Sequence, residues 1–375
     1  MPIEDLPAEP GMPLEQVDTP ALLIDLDAYE WNIGQMAKEA ANSGMRLRPH
    51  AKTHKCAVIA LHQISQGAVG VCCQKVSEAE ALVNGGVRDI FVTNEIIGLH
   101  KLTRLASLAK RAIIAVCVDN LNNLQELSKV AASHDVHFGV FVEVDVGGGR
   151  CGVQEGEAVL ALAQRIQSLR NLEFKGLQAY QGRAQHVRTI AERKSAINQS
   201  VETVRRMLDL LSAKGLSCDV VSGAGTGTYR LEAASGVYNE IQPGSYIFMD
   251  ADYGRNLTEA GTEFTEFRQS LLVYTQIMSI AKRNYAVVDA GLKALAFDSG
   301  MPVPLDLPGI RYCRPSDEHG ILDLNDAPGG VSLGSKIKLI PGHCDPTVNL
   351  YDWYVAIRGD RVEALWPIVG RGAVG

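Results

Sequence analysis

The chain has 375 residues, of which 46% are hydrophobic and 21% charged, the balance of an ordinary globular protein with room for about two domains. Its formal net charge of −7 argues against nucleic acid or an anionic membrane surface as a partner. No apolar run reaches the roughly 20 residues of a membrane span.

Met1–Pro20 is acidic and proline-rich, unlike a secretory signal. From Ala21 onward, apolar runs alternate with helix-period segments. The predicted strands are Ala21–Leu26, Met45–Pro49, Val69–Gln74, Asp89–Asn94, Ala112–Asp119, Phe138–Asp145, Phe174–Tyr180 and Cys218–Ser222. Helices are predicted between them, from Tyr29–Asn42 to the long Thr189–Ala213. Eight strand–helix units in about 230 residues match a (β/α)8 TIM barrel, here placed at 21–255, so the fold class is α/β. Beyond Asp252, Thr262–Ile280, Ala286–Asp289, Lys336–Ile340 and Val355–Leu365 are β-rich and separated by Gly/Pro turns. They predict a mostly antiparallel β domain, built from 256–375 together with 1–20. The eight cysteines have no regular spacing and no Cys-x-x-Cys, which points to reduced thiols and a cytoplasmic protein.

Barrel enzymes place their chemistry at the C-terminal strand ends, and here those ends are polar: Lys52, Gln74, Thr93-Asn94, Asp145–Gly152, Tyr180-Gln181-Gly182 and Ser222–Thr228. Lys52 is either a solvated loop lysine or an imine-forming one, the latter requiring a dry site or nearby cations such as Arg48, His50 and His54 to lower its pKa. The glycines of Ser222–Thr228 expose backbone N–H groups before a helix predicted near Thr228, a ready anion site. Gly244, Ser245 and Tyr246 would add donors to it. Arg150 could hydrogen-bond a phenolate or a carboxylate, and Tyr180 could pack on a flat ring. The plainer readings are an ordinary turn, a surface arginine and a core tyrosine. His343 and Asp345 are spaced i, i+2, so on an extended segment they share a face, with Cys344 opposite. Imidazole plus carboxylate suits Mn²⁺, Mg²⁺ or Zn²⁺. Asp317-Glu318-His319-Gly320 is a second polar knot, or a solvated turn.

Arg48-Pro49-His50-Ala51-Lys52-Thr53-His54-Lys55 and Pro341–Asp352 around His343-Cys344-Asp345 are specific motifs, supported by Asp145–Gly152, Ser222–Thr228 and Ile241–Asp250. Through them the whole chain resembles the fold-type III pyridoxal-phosphate enzymes, the alanine-racemase-like group. Within that group it is similar to the branch of D-threonine aldolases and D-serine dehydratases. The resemblance implies that Lys52 carries pyridoxal 5'-phosphate as an imine. Arg150 would lie near the cofactor's 3-oxygen and Tyr180 near its ring. Thr226, Gly227, Gly244, Ser245 and Tyr246 would cradle the phosphate, and Gln74 and Thr93 would line the floor. It also implies a homodimer in which the partner's β domain completes each site. Gln242 stands where alanine racemases have an arginine against the pyridine nitrogen, which counts against simple racemisation. The eukaryotic-type D-serine dehydratases resemble His-Cys-Cys where this chain has His-Cys-Asp, and the carboxylate favours a harder ion, Mg²⁺ or Mn²⁺.

The reaction so implied is retro-aldol cleavage of a D-β-hydroxy-α-amino acid to glycine and an aldehyde, glyoxylate from 3-hydroxyaspartate or acetaldehyde from D-threonine. A cation on His343 and Asp345 would lower the pKa of the β-hydroxyl. His50, a metal-bound water or Lys52 would take its proton. Arg150, Arg311 or Arg314 would meet an extra substrate carboxylate, and Asp317 would stand near the metal. The rival readings are β-elimination, as in a D-serine or D-3-hydroxyaspartate dehydratase, and a non-catalytic pyridoxal-phosphate-binding protein.

Overall fold

The computed structural model describes residues 6–327 and 330–375; residues 1–5 of the segment assigned to the β domain lie outside the described residues. The chain opens with β1 (Ala21–Asp25) and α1 (Leu26–Asn42). The Asp25 carboxylate caps that helix, accepting from the Ala28 N–H at 3.0 Å. A regular alternation follows: β2 (Arg46–Leu47), α2 (Ala57–Ser65), β3 (Val71–Cys73), α3 (Val76–Asn84), β4 (Asp89–Glu95), α4 (Leu99–Ala109), β5 (Ile113–Val118) and α5 (Leu121–His134). It continues through β6 (Phe138–Glu143), α6 (Glu157–Gln167), β7 (Leu172–Gln178), α7 (Ile190–Ala213), β8 (Val220–Gly223), α8 (Tyr229–Ala233) and β9 (Glu240–Ile241).

These strands form one parallel sheet in the order β2-β9-β8-β7-β6-β5-β4-β3. A bridge between His50 and Cys72 joins its two ends. The strands are buried on both faces, as parallel strands wrapped by helices must be. Inside the ring, Cys72, Phe91, Cys117, Phe141 and Val220 pack together, with the Phe91 and Phe141 rings stacked at 4.2 Å. This apolar plug fills the base of the barrel, so any ligand site must lie above it.

After α9 (Ala251–Gly254) the chain builds a second sheet from β10 (Leu271–Lys282), β11 (Tyr285–Val288), β12 (Val303–Pro304), β13 (Arg311–Pro315), β14 (Gly320–Asp323), β15 (Lys336–Ile340), β16 (Trp353–Arg358) and β17 (Arg361–Pro367), with α10 (Cys344–Val348) inserted after β15. Its pairings are antiparallel except for β1 beside β16. The mostly antiparallel second domain is therefore present.

Three local expectations change. The strand at Ala21 does not enter the barrel: β1 lies between β10 and β16, with Leu22 opposite Val273 and Tyr354. It is buried on both faces, so its residues carry no mark of which sheet receives them. The eighth barrel strand is instead Glu240–Ile241, a two-residue pairing within a segment expected as a turn. The polar knot at Asp317–Gly320 takes the plainer of its two readings, an exposed turn leading from β13 into β14. His343-Cys344-Asp345 is not extended: His343 precedes α10 and Asp345 lies in its first turn.

The second sheet is tied down onto the C-terminal end of the barrel. Tyr354 on β16 donates its hydroxyl to the His54 carbonyl at 2.7 Å, and the Gly370 N–H donates to the Lys55 carbonyl at 2.9 Å. The Ala251 N–H donates to the Pro341 carbonyl at 3.0 Å. The Cys344 N–H meets the Asp250 carboxylate at 3.0 Å.

Candidate active site

Lys52 sits on a turn that is fixed from several directions. The chain leaves β2 extended, and the Ala51 N–H donates to the Cys72 carbonyl at 2.7 Å. Lys55 closes the turn with a left-handed backbone, φ 50°, an unfavourable conformation for a residue with a side chain. Its N–H bonds to the Ala51 carbonyl at 2.7 Å and its ammonium pairs with Glu78 at 2.7 Å. Lys52 projects into a cavity of about 230 Å³ whose lining includes His50, Gln74, Thr93, Arg150, Gln178, Tyr180, His186, Thr226, Gln242, Gly244 and Ser245.

The lysine is not the low-pKa group that the basic sequence around it suggests. Its Nζ lies 2.5 Å from Asp345 Oδ2, with the side chain 40% exposed to the cavity. Burial alone would lower its pKa, but the Asp345 carboxylate overrides that and holds the ammonium well above its ordinary value. The same contact, followed by His343, holds Asp345 well below the usual carboxylate range against the opposing effect of burial. Arg48 points elsewhere, to Asp89 at 2.6 Å and Glu240 at 3.2 Å. Burial pushes His54 down to about 4, so it adds no positive charge at neutral pH.

His50, Gln74 and Thr93 form the floor expected of them. The Lys52 backbone N–H donates to His50 Nδ1 at 3.3 Å, and His50 Nε2 lies 3.0 Å from both Thr93 Oγ1 and Gln74 Nε2. Gln74 Nε2 donates to the same Thr93 oxygen at 3.0 Å. Burial, then the Lys52 ammonium, push His50 well below the ordinary histidine value. With both nitrogens engaged it is a floor group, poorly placed to carry protons.

At the other end of the cavity, the backbone N–H groups of Gly225, Thr226, Gly244 and Ser245 donate to no protein acceptor among the described residues. A Cβ on residue 244 would stand 2.6 Å from Thr53 Oγ1, and one on residue 225 would stand 2.5 Å from Gln185 Oε1. Glycine is thus needed for these walls to meet around an anion. Two expected members fall outside the cradle. Gly227 donates its N–H to Gln185 Oε1 at 2.9 Å. The Tyr246 N–H goes to Thr226 Oγ1 at 3.0 Å and its phenol accepts from Gln63 at 2.9 Å. Gly225, one of the glycines of Ser222–Thr228 expected to expose N–H groups, takes their place.

Charged groups gather at the mouth. Arg150 Cζ lies 6.0 Å from the centre of the Tyr180 ring and its Nη2 lies 3.7 Å from Glu143. Arg150, Tyr180 and Gly182 also line a side lobe reached by Arg183. His343 Nδ1 lies 2.6 Å from Asp298 Oδ2. Among the described residues no three or more His, Cys, Asp or Glu side chains converge as a metal cluster. Asp317 is exposed and does not line the cavity. Arg311 pairs with Asp323 at 2.9 Å, and Arg314 lines a separate groove on the second sheet with Tyr285 and Ile321.

Sequence reasoning missed one further residue. His186, at the end of a short helical turn after β7, lines the cavity. Its Nδ1 lies 2.6 Å from Asp252 Oδ2, and Arg188 and Arg255 hold the other Asp252 oxygen. Burial opposes the charge on Asp252, but the bonds from His186 and Arg188 override it and keep the carboxylate ionised. The signal was available in Gln181-Gly182-Arg183-Ala184-Gln185-His186, a polar run directly after a barrel strand.

A half-buried lysine and an anion cradle in one cavity of this fold define the protein's class. Residues 24–252 match the family described as alanine racemase, N-terminal domain, and residues 270–357 match a putative serine dehydratase domain. The chain belongs to the alanine-racemase-like family of pyridoxal-phosphate enzymes. It is a carbon–carbon lyase of the aldolase kind. It is 47% identical to 3-hydroxy-D-aspartate aldolase of Paracoccus denitrificans (strain Pd 1222) over 372 residues, covering 98% of this chain and 96% of that one. The structure of D-threonine aldolase from Filomicrobium marinum superposes with a TM-score of 0.95 at 46% identity, covering 98% and 99% of the two chains. D-threo-3-hydroxyaspartate dehydratase of Delftia sp. (strain HT23) is 27% identical, with 93% and 97% covered.

Proposed function

We propose that the protein cleaves the Cα–Cβ bond of D-β-hydroxy-α-amino acids, with 3-hydroxy-D-aspartate split to glycine and glyoxylate and D-threonine as a further substrate. The observation that carries this reading is one cavity lined by Lys52, an anion cradle and His186, with Asp345 held against Lys52 and Asp252 against His186 from behind the lining. Lys52 would hold pyridoxal phosphate, and the free amides of Gly225, Thr226, Gly244 and Ser245 would take its phosphate. When bound, the cofactor supplies the electron sink for the charge left on Cα.

His343 and Asp345 would hold a hard divalent cation, Mg²⁺ or Mn²⁺. Asp298 fixes the imidazole from its other nitrogen, the usual support for a metal-bound histidine. Such a cation would supply Lewis-acid polarisation of the β-hydroxyl. His186, oriented by Asp252, is the group we assign to take the β-hydroxyl proton. The oxygen's electron pair then forms the aldehyde carbonyl as the Cα–Cβ bond breaks. Arg150 and Arg183, which share the side lobe, would receive the second carboxylate of 3-hydroxyaspartate.

Product analysis tests the reading. Incubation with D-3-hydroxyaspartate, D-threonine and D-serine is expected to give glycine from the first two, with turnover lost in chelator. Ammonia and a keto acid instead would show β-elimination, the dehydratase reading, and neither product would leave only cofactor binding. A homodimer and a cytoplasmic location complete the proposal. Eight free cysteines support the location. Exposed Met278, Ile280 and Tyr285 on the outer sheet support a second copy as partner. No helix among the described residues is long and apolar enough to cross a membrane.

A further inference from the structure

A chain of hydrogen bonds runs from the cavity wall down to the closed end of the barrel. Gln178 at the end of β7 and Gln242 just after β9 both line the cavity, and they are paired head to tail. Gln242 Nε2 donates to Gln178 Oε1 at 2.8 Å, and Gln178 Nε2 donates to Gln242 Oε1 at 3.1 Å. Gln242 Nε2 also donates to Ser222 Oγ at 2.7 Å, and the Ser222 hydroxyl donates to Glu240 Oε1 at 2.7 Å. The second Glu240 oxygen lies 3.2 Å from Arg46 Nη2 and 3.2 Å from Arg48 Nε, although neither approach is aligned as a hydrogen bond. Ser222 and Glu240 are fully buried.

The direction of this chain is forced. A carboxylate only accepts, so the one hydroxyl hydrogen of Ser222 is committed to Glu240. Ser222 can then only accept from Gln242, which requires the amide nitrogen on that side. One Gln242 N–H is used by Ser222 and the other by Gln178. Gln242 has no donor left, while its oxygen keeps a free lone pair. Lys52, the residues with free amides and both glutamines line the same cavity, so a flat cofactor held by the first two would lie against this wall.

We propose that Glu240 is a positioning residue for the cofactor ring: through Ser222 it fixes the Gln242 amide so that this wall offers the ring nitrogen an acceptor and no Gln242 donor. That arrangement favours a protonated ring, the stronger electron sink. Were the carboxylate removed, Ser222 could turn its hydrogen to Gln242 and let the amide flip. The proposal rests on pyridoxal phosphate occupying this cavity.

The test is the ¹⁵N NMR signal of cofactor labelled at the ring nitrogen, in holoenzyme carrying Glu240→Gln or Ser222→Ala. The expected result is movement toward the neutral-pyridine position, with kcat down about tenfold, the equivalent of one pKa unit, and KM within about twofold. A purely structural role would lower thermal stability and leave the signal in place, and that result in both variants overturns the proposal. If Glu240→Gln fails to fold, Ser222→Ala decides alone. A wild-type protein that shows no ring-nitrogen signal sinks the cofactor reading as well.

Discussion

The floor of the cavity and its mouth are built on opposite principles. On the floor and wall, polar groups are buried and hydrogen-bonded to one another: His50 with Thr93, Gln178 with Gln242, Ser222 with Glu240. At the mouth, charged groups are half-exposed and each keeps capacity for another partner: Arg150 is 57% exposed, His186 49%, and Lys52 40%. A closed network holds one ligand in one orientation. An open set of charges can exchange a proton, a cation or a substrate carboxylate. The comparison assigns cofactor positioning to the floor and chemistry on the substrate's β-hydroxyl to the mouth.

Lys52 is the point where the two regions meet, so its loss is expected to have the largest effect. Lys52→Ala should abolish the absorbance of the bound imine at roughly 410–430 nm, with turnover reduced to background. Retention of that band would show another lysine holding the cofactor and remove the meeting point. Asp345→Ala should separate the regions: the band stays, while cleavage falls by about 100-fold or more, as the loss of several kcal/mol of polarisation implies. Wild-type turnover unchanged in chelator would remove the cation from the mouth.

The smallest expected effect lies at the rim, in Glu143. Burial, followed by the neighbouring Glu95, pushes its carboxyl up to about 8. The folded state therefore keeps a proton that the unfolded chain releases near the ordinary value of about 4.5. The resulting stabilisation is complete below that value and is lost as pH rises through about 8. Glu143→Gln has no such dependence, so its thermal midpoint should gain on the wild type between pH 5 and pH 9, by about 2 °C or more. A constant difference across that range would show that Glu143 is already ionised.

The same contrast explains what could be read from the sequence. Barrel strands such as Ile113–Val118 announce themselves as unbroken apolar runs, and Arg150 and Tyr180 follow such strands, whereas Lys52, His343 and Asp345 stood out through their polar motifs. Ala21–Asp25 is an equally apolar run, and only its neighbours β10 and β16 show that it belongs to the other sheet. Glu240–Ile241 pairs over two residues, too few to leave a period. His186 escaped because its partner Asp252 lies 66 residues away, and no local pattern records such a pair. The placement of Asp317 followed resemblance alone, and the turn between β13 and β14 carries it away from the cavity.

The division between floor and mouth is tested most directly in His186→Asn holoenzyme, by following two reactions side by side. Loss of the glycine α-hydrogen to D2O needs the cofactor but no β-hydroxyl, whereas cleavage of 3-hydroxy-D-aspartate needs both. Glycine exchange should stay within about threefold of wild type while cleavage falls by about 10²-fold or more, the usual contribution of a positioned base. Equal loss of the two reactions would contradict the assignment, since His186 would then act on Cα and not on the β-hydroxyl.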